Sequence, residues 1–412
     1  VVSVITDPAG PRLPVPPLGH REGTWHVPDD GLASRQARRR GTGTYRAAVP
    51  ARIAGLDLSI PGEIAADAAD AESALGRLDA HAASTLGPDH LGLGPMSSIL
   101  LRTESASSSQ IEDLTVGARQ LALAALEESS SANARLVIGN VRAMEAALDL
   151  ADRLDLEAVL AMQAALLSAD PTHRREAGRL RTRLVWIGHH GSSPLGAVHV
   201  APEAEDVPGA MEDLLAFIGR EDLPVLLQAA IAHAQFETIH PFTDGNGRTG
   251  RALVHAMVHG KGLVSRTTAP ISAGLLTDVE GYTHALTAYR AGDAAPIIGQ
   301  FARAARYGAA TGRALVDDLA RELAASRERL AGLRPQASGW ALLPLLVGQP
   351  IVNASYVRAM LSTNAVTAQR ALAQLSEAGV LTERTGRSRD RVWQHDGILR
   401  VLDAYAEQVR RA

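Results

Sequence analysis

The run from His240 to Arg251 gathers side chains that can do chemistry. It reads His240-Pro241-Phe242-Thr243-Asp244-Gly245-Asn246-Gly247-Arg248-Thr249-Gly250-Arg251, between two stretches with helical apolar spacing. Three chemistries compete for it. Gly245-x-Gly247-x-x-Gly250 matches the dinucleotide fingerprint, which needs a strand before it and an acidic residue roughly 20 positions on. Here an amphipathic helical pattern precedes it, and the residues around position 270 are Thr-Thr-Ala-Pro-Ile-Ser, so a nicotinamide site is disfavoured. His255 and His259 stand at metal-ligand spacing on one helix. Ala-Met-Val lies between them, without a zinc-protease glutamate, so satisfied core histidines are the better reading.

The third chemistry follows from the loop itself. Gly245-Asn246-Gly247 opens a helix, and free N–H groups at a helix start, together with the helix dipole, bind anions. Glycine lets backbone close on phosphate oxygens without a Cβ in the way. Arg248 and Arg251, three apart on the first turn, can face one polyphosphate. Asp244 suits a divalent cation held between carboxylate and phosphates, the usual arrangement for Mg²⁺. His240 ends the preceding helix, and an imidazole with a reference pKa of about 6.5 suits a general base near neutrality. Base, metal ligand, anion nest and two arginines together describe phosphoryl or nucleotidyl transfer to a hydroxyl.

The elements that must position these groups are mostly helical. Helical spacing runs through 65–82, 120–127, 133–154 and 157–167, then 207–218, 223–239, 248–259, 280–290 and 295–330. Two short β-branched and aromatic segments, 181–188 and 197–200, flank a Gly/Ser/Pro turn and predict a hairpin. An isolated hairpin is marginal unless something packs on it, which makes this one a candidate flap. Residues 1–45 are rich in Pro, Gly and Arg and predict an irregular arm. Its arginines suit an acidic surface or nucleic acid, with a solvated tail the favoured alternative. After Pro335 a tail predicts helices over 339–346, 354–361 and 365–378, then strands over 380–384 and 391–393.

The motif resembles the signature of Fic proteins, His-Pro-Phe-x-Asp-Gly-Asn-Gly-Arg-x-x-Arg, at every defined position. The segment Ala232-His233-Ala234-Gln235-Phe236-Glu237-Thr238-Ile239 is similar to the family's helix leading into it. Trp186-Ile187-Gly188 with His199-Val200 is similar to its flap. The resemblance spans roughly 45–310 and implies a mainly α Fic fold, a helical bundle with a β-hairpin flap. The implied reaction moves AMP from ATP to a Ser, Thr or Tyr hydroxyl of a protein target, with Mg²⁺ (or Mn²⁺) as cofactor. His240 is then the general base and Asp244 the metal ligand. Gly245, Asn246 and Gly247 cradle phosphates, Arg248 and Arg251 bind them, and Tyr282 lines the nucleobase side or serves as a core aromatic. Gly247 favours AMP transfer over the phosphate transfer of the related Doc toxins; phosphocholine transfer stays open, as does AMP removal.

Upstream, Ser107-Ser108-Ser109-Gln110-Ile111-Glu112-Asp113 reads by itself as a polar helix start with Ser108 and Glu112 one turn apart. It resembles the family's inhibitory helix, Ser/Thr-x-x-x-Glu-Gly/Asn, which implies that Glu112 pairs with Arg251 and blocks the γ-phosphate position. Asp113 stands where the family has Gly or Asn. The tail resembles bacterial winged helix-turn-helix domains. Thr367 and Arg370 fall on its recognition helix and Arg384, Arg387, Arg389 and Arg391 on its wing. A DNA-binding regulator is therefore the alternative of another class, beside a winged helix used for dimerisation or target docking.

Composition bounds the rest. In 412 residues, 41 Lys+Arg against 45 Asp+Glu give a net charge of −4, which disfavours binding nucleic acid along the whole chain. There is no cysteine, which removes disulfides, thiolate metal sites and cysteine nucleophiles. Lys261 is the sole lysine, a pattern of genomic bias rather than function. No apolar stretch reaches the roughly 18–20 residues of a transmembrane helix, and residues 1–7 lack a signal-peptide pattern, so the expectation is a cytoplasmic protein. The expected organisation is an arm (1–45) and a helical part (46–170) with the inhibitory helix at about 105–115. The Fic core (171–335), with its flap at 181–200, and a winged-helix tail (336–412) complete it.

Overall fold

The computed structural model describes residues 11–27, 34–85, 93–188, 193–384 and 391–412. The chain opens with β1 (Gly19–Trp25), α1 (Arg35–Gly41) and β2 (Gly43–Val49), then the helices α2 (Gly62–Thr85), α3 (Leu93–Gln110) and α4 (Ala118–Ala125). Two further helices, α5 (Ala132–Asp149) and α6 (Leu156–Leu167), lead to the two-residue strands β3 (Trp186–Ile187) and β4 (His199–Val200). The centre follows as α7 (Val207–Ile218), α8 (Val225–Ile239), α9 (Asn246–Gly260), α10 (Ile271–Leu276), α11 (Val279–Arg290) and α12 (Ala295–Arg329).

Starts of these helices obey local chemistry. Ser131 accepts from the Ala134 N–H, Asp155 from Ala158 and Asp278 from Gly281, each occupying one of the donors a helix start leaves open. Amphipathic faces set the layers. α12, at 35 residues about 52 Å long, is the spine against which α2, α8, α10 and α11 pack. α8 lies at the centre: every side chain from Leu226 to Ile239 is buried, so it carries no polar face to water and ends inside the molecule. The main core joins Leu75, Leu78, Phe217, Phe236, Phe242 and Phe301 around it.

The N-terminal arm corrects one expectation. Its described part is not irregular throughout: β1 and β2 form an antiparallel pair from Gly19↔Val49 to Trp25↔Gly43. β1 is largely exposed and β2 buries only the adjacent Ala47 and Ala48, so neither carries a hydrophobic alternation to read. Their stability comes from distant partners instead. Trp25 meets Trp186 edge to face at 5.3 Å, Tyr45 donates to Glu203 at 2.6 Å, and Arg21 pairs with Asp206 at 2.7 Å. This packing supplies what the β3–β4 hairpin needs, since β2 lies against β4. The hairpin strands are much shorter than the expected segments, and the turn at 189–192 lies outside the described residues.

The tail holds α13 (Ser338–Leu342), α14 (Leu345–Gly348), β5 (Ile351–Asn353), α15 (Ala354–Met360), α16 (Ala365–Glu377), β6 (Thr382–Glu383), β7 (Val392–Gln394) and α17 (Asp396–Arg411). The helix expected over 339–346 is broken at Pro344, which cannot continue an N–H ladder. Asn364 caps α16 as its position implies, accepting from Thr367 N–H at 2.9 Å. Strand β5, unread in the sequence, pairs with β7 in a sheet ordered β5-β7-β6. α17, also unread, lays Leu402, Tyr405 and Val409 into a core shared with Met96, Ile99 and Leu100 of α3 and Leu315 and Leu319 of α12. The tail is thus built onto the body. Among the described residues no helix is long and apolar enough to cross a membrane.

Two buried histidines pin α8 to its neighbours. His199 lies 2.9 Å from the Thr238 carbonyl, and His233 lies 2.6 Å from the Tyr282 hydroxyl. Burial pushes the His199 imidazole down to about 3 and the His233 imidazole down to about 4. Both stay neutral in the folded protein where an unfolded histidine, near 6.5, takes up a proton. Stability is therefore full above pH 6.5 and falls as pH drops toward 4. Each histidine should cost about 2 kcal/mol at pH 5, and denaturant midpoints at pH 7.5 and pH 5 should differ in that direction. His199→Gln should flatten part of the slope.

Candidate active site

The motif loop is shaped by the way α8 ends. His240 takes the left-handed conformation, φ 50° and ψ 61°, turning the chain out of the core. Its Nδ1 stands 3.6 Å from Glu237 Oε2. Glu237 is buried. Burial alone would raise its carboxyl, but His240, His233 and Arg251 more than offset this and hold it down to about 2. An ionised carboxylate thus faces one ring nitrogen of His240. Arg181, buried between flap and motif, donates to the His240 carbonyl at 2.8 Å and the Pro202 carbonyl at 2.6 Å. Neither Glu237, a single charge in an apolar stretch, nor Arg181, one of three alternating arginines with Arg179 and Arg183, stands out in the sequence.

Asn246 turns its side chain back onto the loop. Its side chain accepts from Phe242 N–H and donates to the Phe242 carbonyl, both at 2.9 Å, so the amide closes the loop and faces no ligand. What remains for an anion is backbone N–H at the start of α9. Gly245 sits at φ 79°, and a Cβ there would meet Leu166 Cδ2 at 2.5 Å. At Gly247 a Cβ would meet Glu112 Oε1 at 2.5 Å. The space above the nest is already taken by a carboxylate.

That carboxylate comes from far upstream. Glu112 Oε1 lies 2.8 Å from Arg251 Nη2, and its Oε2 lies 2.8 Å from Arg248 Nε. The Glu112 side chain is 31% exposed, against 3% for Arg251, so it reaches in from solvent toward a buried cation. Arg251 also donates from Nε to Ser108 Oγ and from Nη2 to the Ser108 carbonyl, both at 2.8 Å. Ser107–Asp113 is not a helix start, as its polarity suggested. It is the end of α3, with Glu112 in the turn beyond Gln110. Asp113 makes the turn at φ 62°, a conformation easiest for Gly, Asn or Asp, which accounts for the residue type this position takes.

Further pairs hold α3 against α9. Buried Glu104, one turn before Ser108, pairs with His255 Nε2 at 2.7 Å and accepts from Ser272 N–H at 2.9 Å. Rungs Glu104–His255, Ser108–Arg251 and Glu112–Arg248 then climb the two helices in opposite directions. Asn140 of α5 clamps the same end, donating to the Ser105 carbonyl at 2.8 Å. His255 is therefore a satisfied histidine, as its sequence context implied, and His259 is half-buried near the helix end.

Asp244, at the mouth of the nest, lies 3.2 Å from Arg248 Nη2. Its half-exposed carboxylate is a hard oxygen donor beside the helix start, which suits Mg²⁺ held together with phosphate oxygens. Tyr282 is buried in the main core with its hydroxyl on His233, so it is the core aromatic and not an exposed pocket wall. Trp186, Ile187, Gly188, His199 and Val200 form the hairpin beside the motif, with pairs Trp186↔Val200 and Ile187↔His199.

Comparison with known proteins bears on this geometry. The Fic/DOC family model matches residues 153–258, and the Fic/DOC family N-terminal model matches residues 65–149. Residues 153–258 are a Fic/DOC family domain. Its Fic core is similar to "Protein adenylyltransferase fic-1" of Caenorhabditis elegans, 33% identical over 108 residues, 26% of this chain and 20% of that protein. It is also similar to "Protein adenylyltransferase Fic" of Nematostella vectensis, 38% identical over 89 residues, 21% of this chain and 19% of that one. The chain thus spans about a fifth of the length of the curated relatives it matches. A solved structure of a Fic family protein from Desulfovibrio desulfuricans G20 covers 82% of this chain and 97% of its own, with TM-score 0.50 and 22% identity, a likeness in fold.

The buried rung at Glu104 has a measurable weight in this Fic core. Glu104→Ala would leave His255 Nε2 and the Ser272 N–H unpartnered, and breaking a buried pair costs about 3–5 kcal/mol. Urea unfolding should register that loss, whereas a drop under 1 kcal/mol would show that the rung carries little.

Proposed function

We propose that this chain is a protein adenylyltransferase that moves AMP from ATP to a side-chain hydroxyl of a protein target and is held in check by Glu112. The observation that carries this is the Glu112 carboxylate bridging Arg248 and Arg251 at 2.8 Å, directly over Gly247. Two arginines and a glycine-lined helix start form an anion site, and a carboxylate occupying it stands where a phosphate group belongs. That the matched curated relatives are named protein adenylyltransferases supports AMP as the transferred group.

Each residue then has a task. His240 takes the proton from the target hydroxyl, and the Glu237 carboxylate, 3.6 Å from Nδ1, orients the ring and stabilises the imidazolium. Amide N–H groups of Asn246 and Gly247 and the guanidiniums of Arg248 and Arg251 bind the polyphosphate. Asp244 holds Mg²⁺, which when bound offsets phosphate charge. The hairpin edge at Trp186–Gly188 offers backbone pairing to an extended target segment, a recognition mode with little demand on sequence. Glu112 opposes the reaction twice: it removes Arg251 as a phosphate partner and repels the triphosphate.

We read residues 336–412 as a winged helix that docks rather than one that binds DNA. Arg384 pairs with Asp396 at 2.8 Å, and Arg391 pairs with Glu383 and stacks over Trp393, so the two described arginines of the wing's four are engaged within the chain. Thr367 and exposed Arg370 remain on α16, while Arg387 and Arg389 lie outside the described residues. Exposed Val366 beside them, at 70%, suits an apolar partner better than phosphate.

With labelled ATP and full-length protein, Glu112→Gly should raise AMP incorporation on the order of 10- to 100-fold. Charge-assisted hydrogen bonds are worth about 1.5–3 kcal/mol, and each 1.4 kcal/mol is tenfold. Introducing His240→Ala into the Glu112→Gly protein should abolish incorporation. Unchanged incorporation in Glu112→Gly would sink the inhibitory role of Glu112, and incorporation that survives His240→Ala would sink the proposed base.

A further inference from the structure

A second set of donors faces Asp244. In the loop after α6, Asp170 Oδ2 lies 2.8 Å from His173 Nδ1, and that nitrogen lies 3.8 Å from Asp244 Oδ2. One donor atom from each of the three residues falls within 4.8 Å of the other two. An octahedral ion with bonds of about 2.1 Å sets neighbouring donors about 3 Å apart and opposed donors about 4.2 Å apart. The separations of 2.8 and 3.8 Å lie near those distances, the shorter being an Asp170–His173 hydrogen bond that a bound ion would replace.

The loop is braced to present them. Asp170 Oδ1 accepts from Thr172 N–H at 2.8 Å, and the Asp170 carbonyl accepts from Arg174 N–H at 3.1 Å, while Oδ2 faces His173 Nδ1. Asp170 is 14% exposed, and His173 and Asp244 are each 36% exposed, so the cluster is open on one side. That side adjoins the start of α9, where phosphate oxygens or water can complete a coordination shell.

The donor set differs from a Mg²⁺ site. Mg²⁺ is typically bound through one or two carboxylates plus substrate phosphates and keeps several waters. An imidazole nitrogen beside two carboxylates suits first-row divalent ions instead. We propose that Asp170, His173 and Asp244 form a divalent-metal site that loads a first-row ion such as Mn²⁺ before nucleotide arrives. The proposal rests on Asp244 as the metal-holding carboxylate and adds two protein ligands to it. Three protein donors hold an ion without phosphate, whereas Asp244 alone needs the nucleotide to complete its site.

The test is electron paramagnetic resonance on the full-length, nucleotide-free protein titrated with Mn²⁺. Wild type should bind one equivalent, show electron spin-echo modulation from a directly bonded imidazole nitrogen, and resist displacement by a 100-fold excess of Mg²⁺. His173→Ala should lose the nitrogen modulation and weaken binding at least tenfold; Asp170→Asn should weaken binding and keep the modulation. Wild-type protein that binds no Mn²⁺ without nucleotide, or binds it without nitrogen modulation, overturns the site, and that measurement needs no variant to fold. Normal AMP transfer with Mg²⁺ but no Mn²⁺ binding would sink the site and leave the proposed function standing. Mn²⁺ binding with no AMP transfer in Glu112→Gly would do the reverse.

Discussion

Two guanidiniums buried on the first turn of one helix require negative charge beside them. Arg248 and Arg251 stand at the positive end of the α9 dipole with almost no access to water, and leaving such cations uncompensated in a low dielectric costs several kcal/mol per ion. Much of the central architecture answers that need. α3 is carried across the face of α9 so that Ser108 and Glu112 meet the arginines, and the turn at Asp113 releases the chain once the carboxylate is in place. An anionic substrate would satisfy the same two cations. Under the proposed function, Glu112 and a polyphosphate compete for the same two cations, and the ion pairs seen here are the closed arrangement.

The competition is weighted by how firmly α3 is held. Glu104 and His255, one turn deeper than Ser108 and Arg251, are buried, and Asn140 of α5 grips the same segment. Glu112 itself is partly exposed and sits in a turn. The Glu104 and Ser108 rungs thus lie in the interior, while the Glu112 rung lies at the surface, within reach of solvent. The tail extends this logic. α3 also carries Arg102, which donates to the Gly348 carbonyl at 2.6 Å, and Met96, Ile99 and Leu100, which share a core with α17. The helix that carries Ser108 is therefore packed between the motif helix and the tail.

Geometry around His240 has the same origin in burial. α8 is apolar along its length apart from a few satisfied polar groups, so it threads the core and must end abruptly where the chemistry begins. The left-handed turn at His240 and the Asn246 clamp on Phe242 accomplish that within seven residues. Glu237, one turn back, remains ionised in the interior because His240, His233 and Arg251 surround it. A carboxylate kept charged by its neighbours beside an imidazole is a standing proton-handling pair, and it exists because the helix carries the glutamate into the cluster of cations.

Much of this was legible in the residues. Helices α2, α5, α7, α8, α9, α11 and α12 announce themselves through apolar periodicity, and the motif 240–251 states its chemistry through residue type and spacing, because a helix start, a glycine nest and two arginines interact within twelve positions. Other features were invisible for one reason: their partners are distant in the chain. β1 is largely exposed and β2 buries only Ala47 and Ala48; the pair meets Trp186, Glu203 and Asp206, some 160 to 185 residues on. Polar Ser107–Asp113 looks like a helix start, and only packing against α9 makes it a helix end. Glu104, Asp170, His173, Arg181 and Glu237 carry no local signature, since a lone charged residue in a helix or loop looks the same whether it meets water or a counter-charge. Local interactions determined the helices and the reactive loop. Which carboxylate reaches which cation was decided by the tertiary fold, because charge is compensated across space and not along the chain.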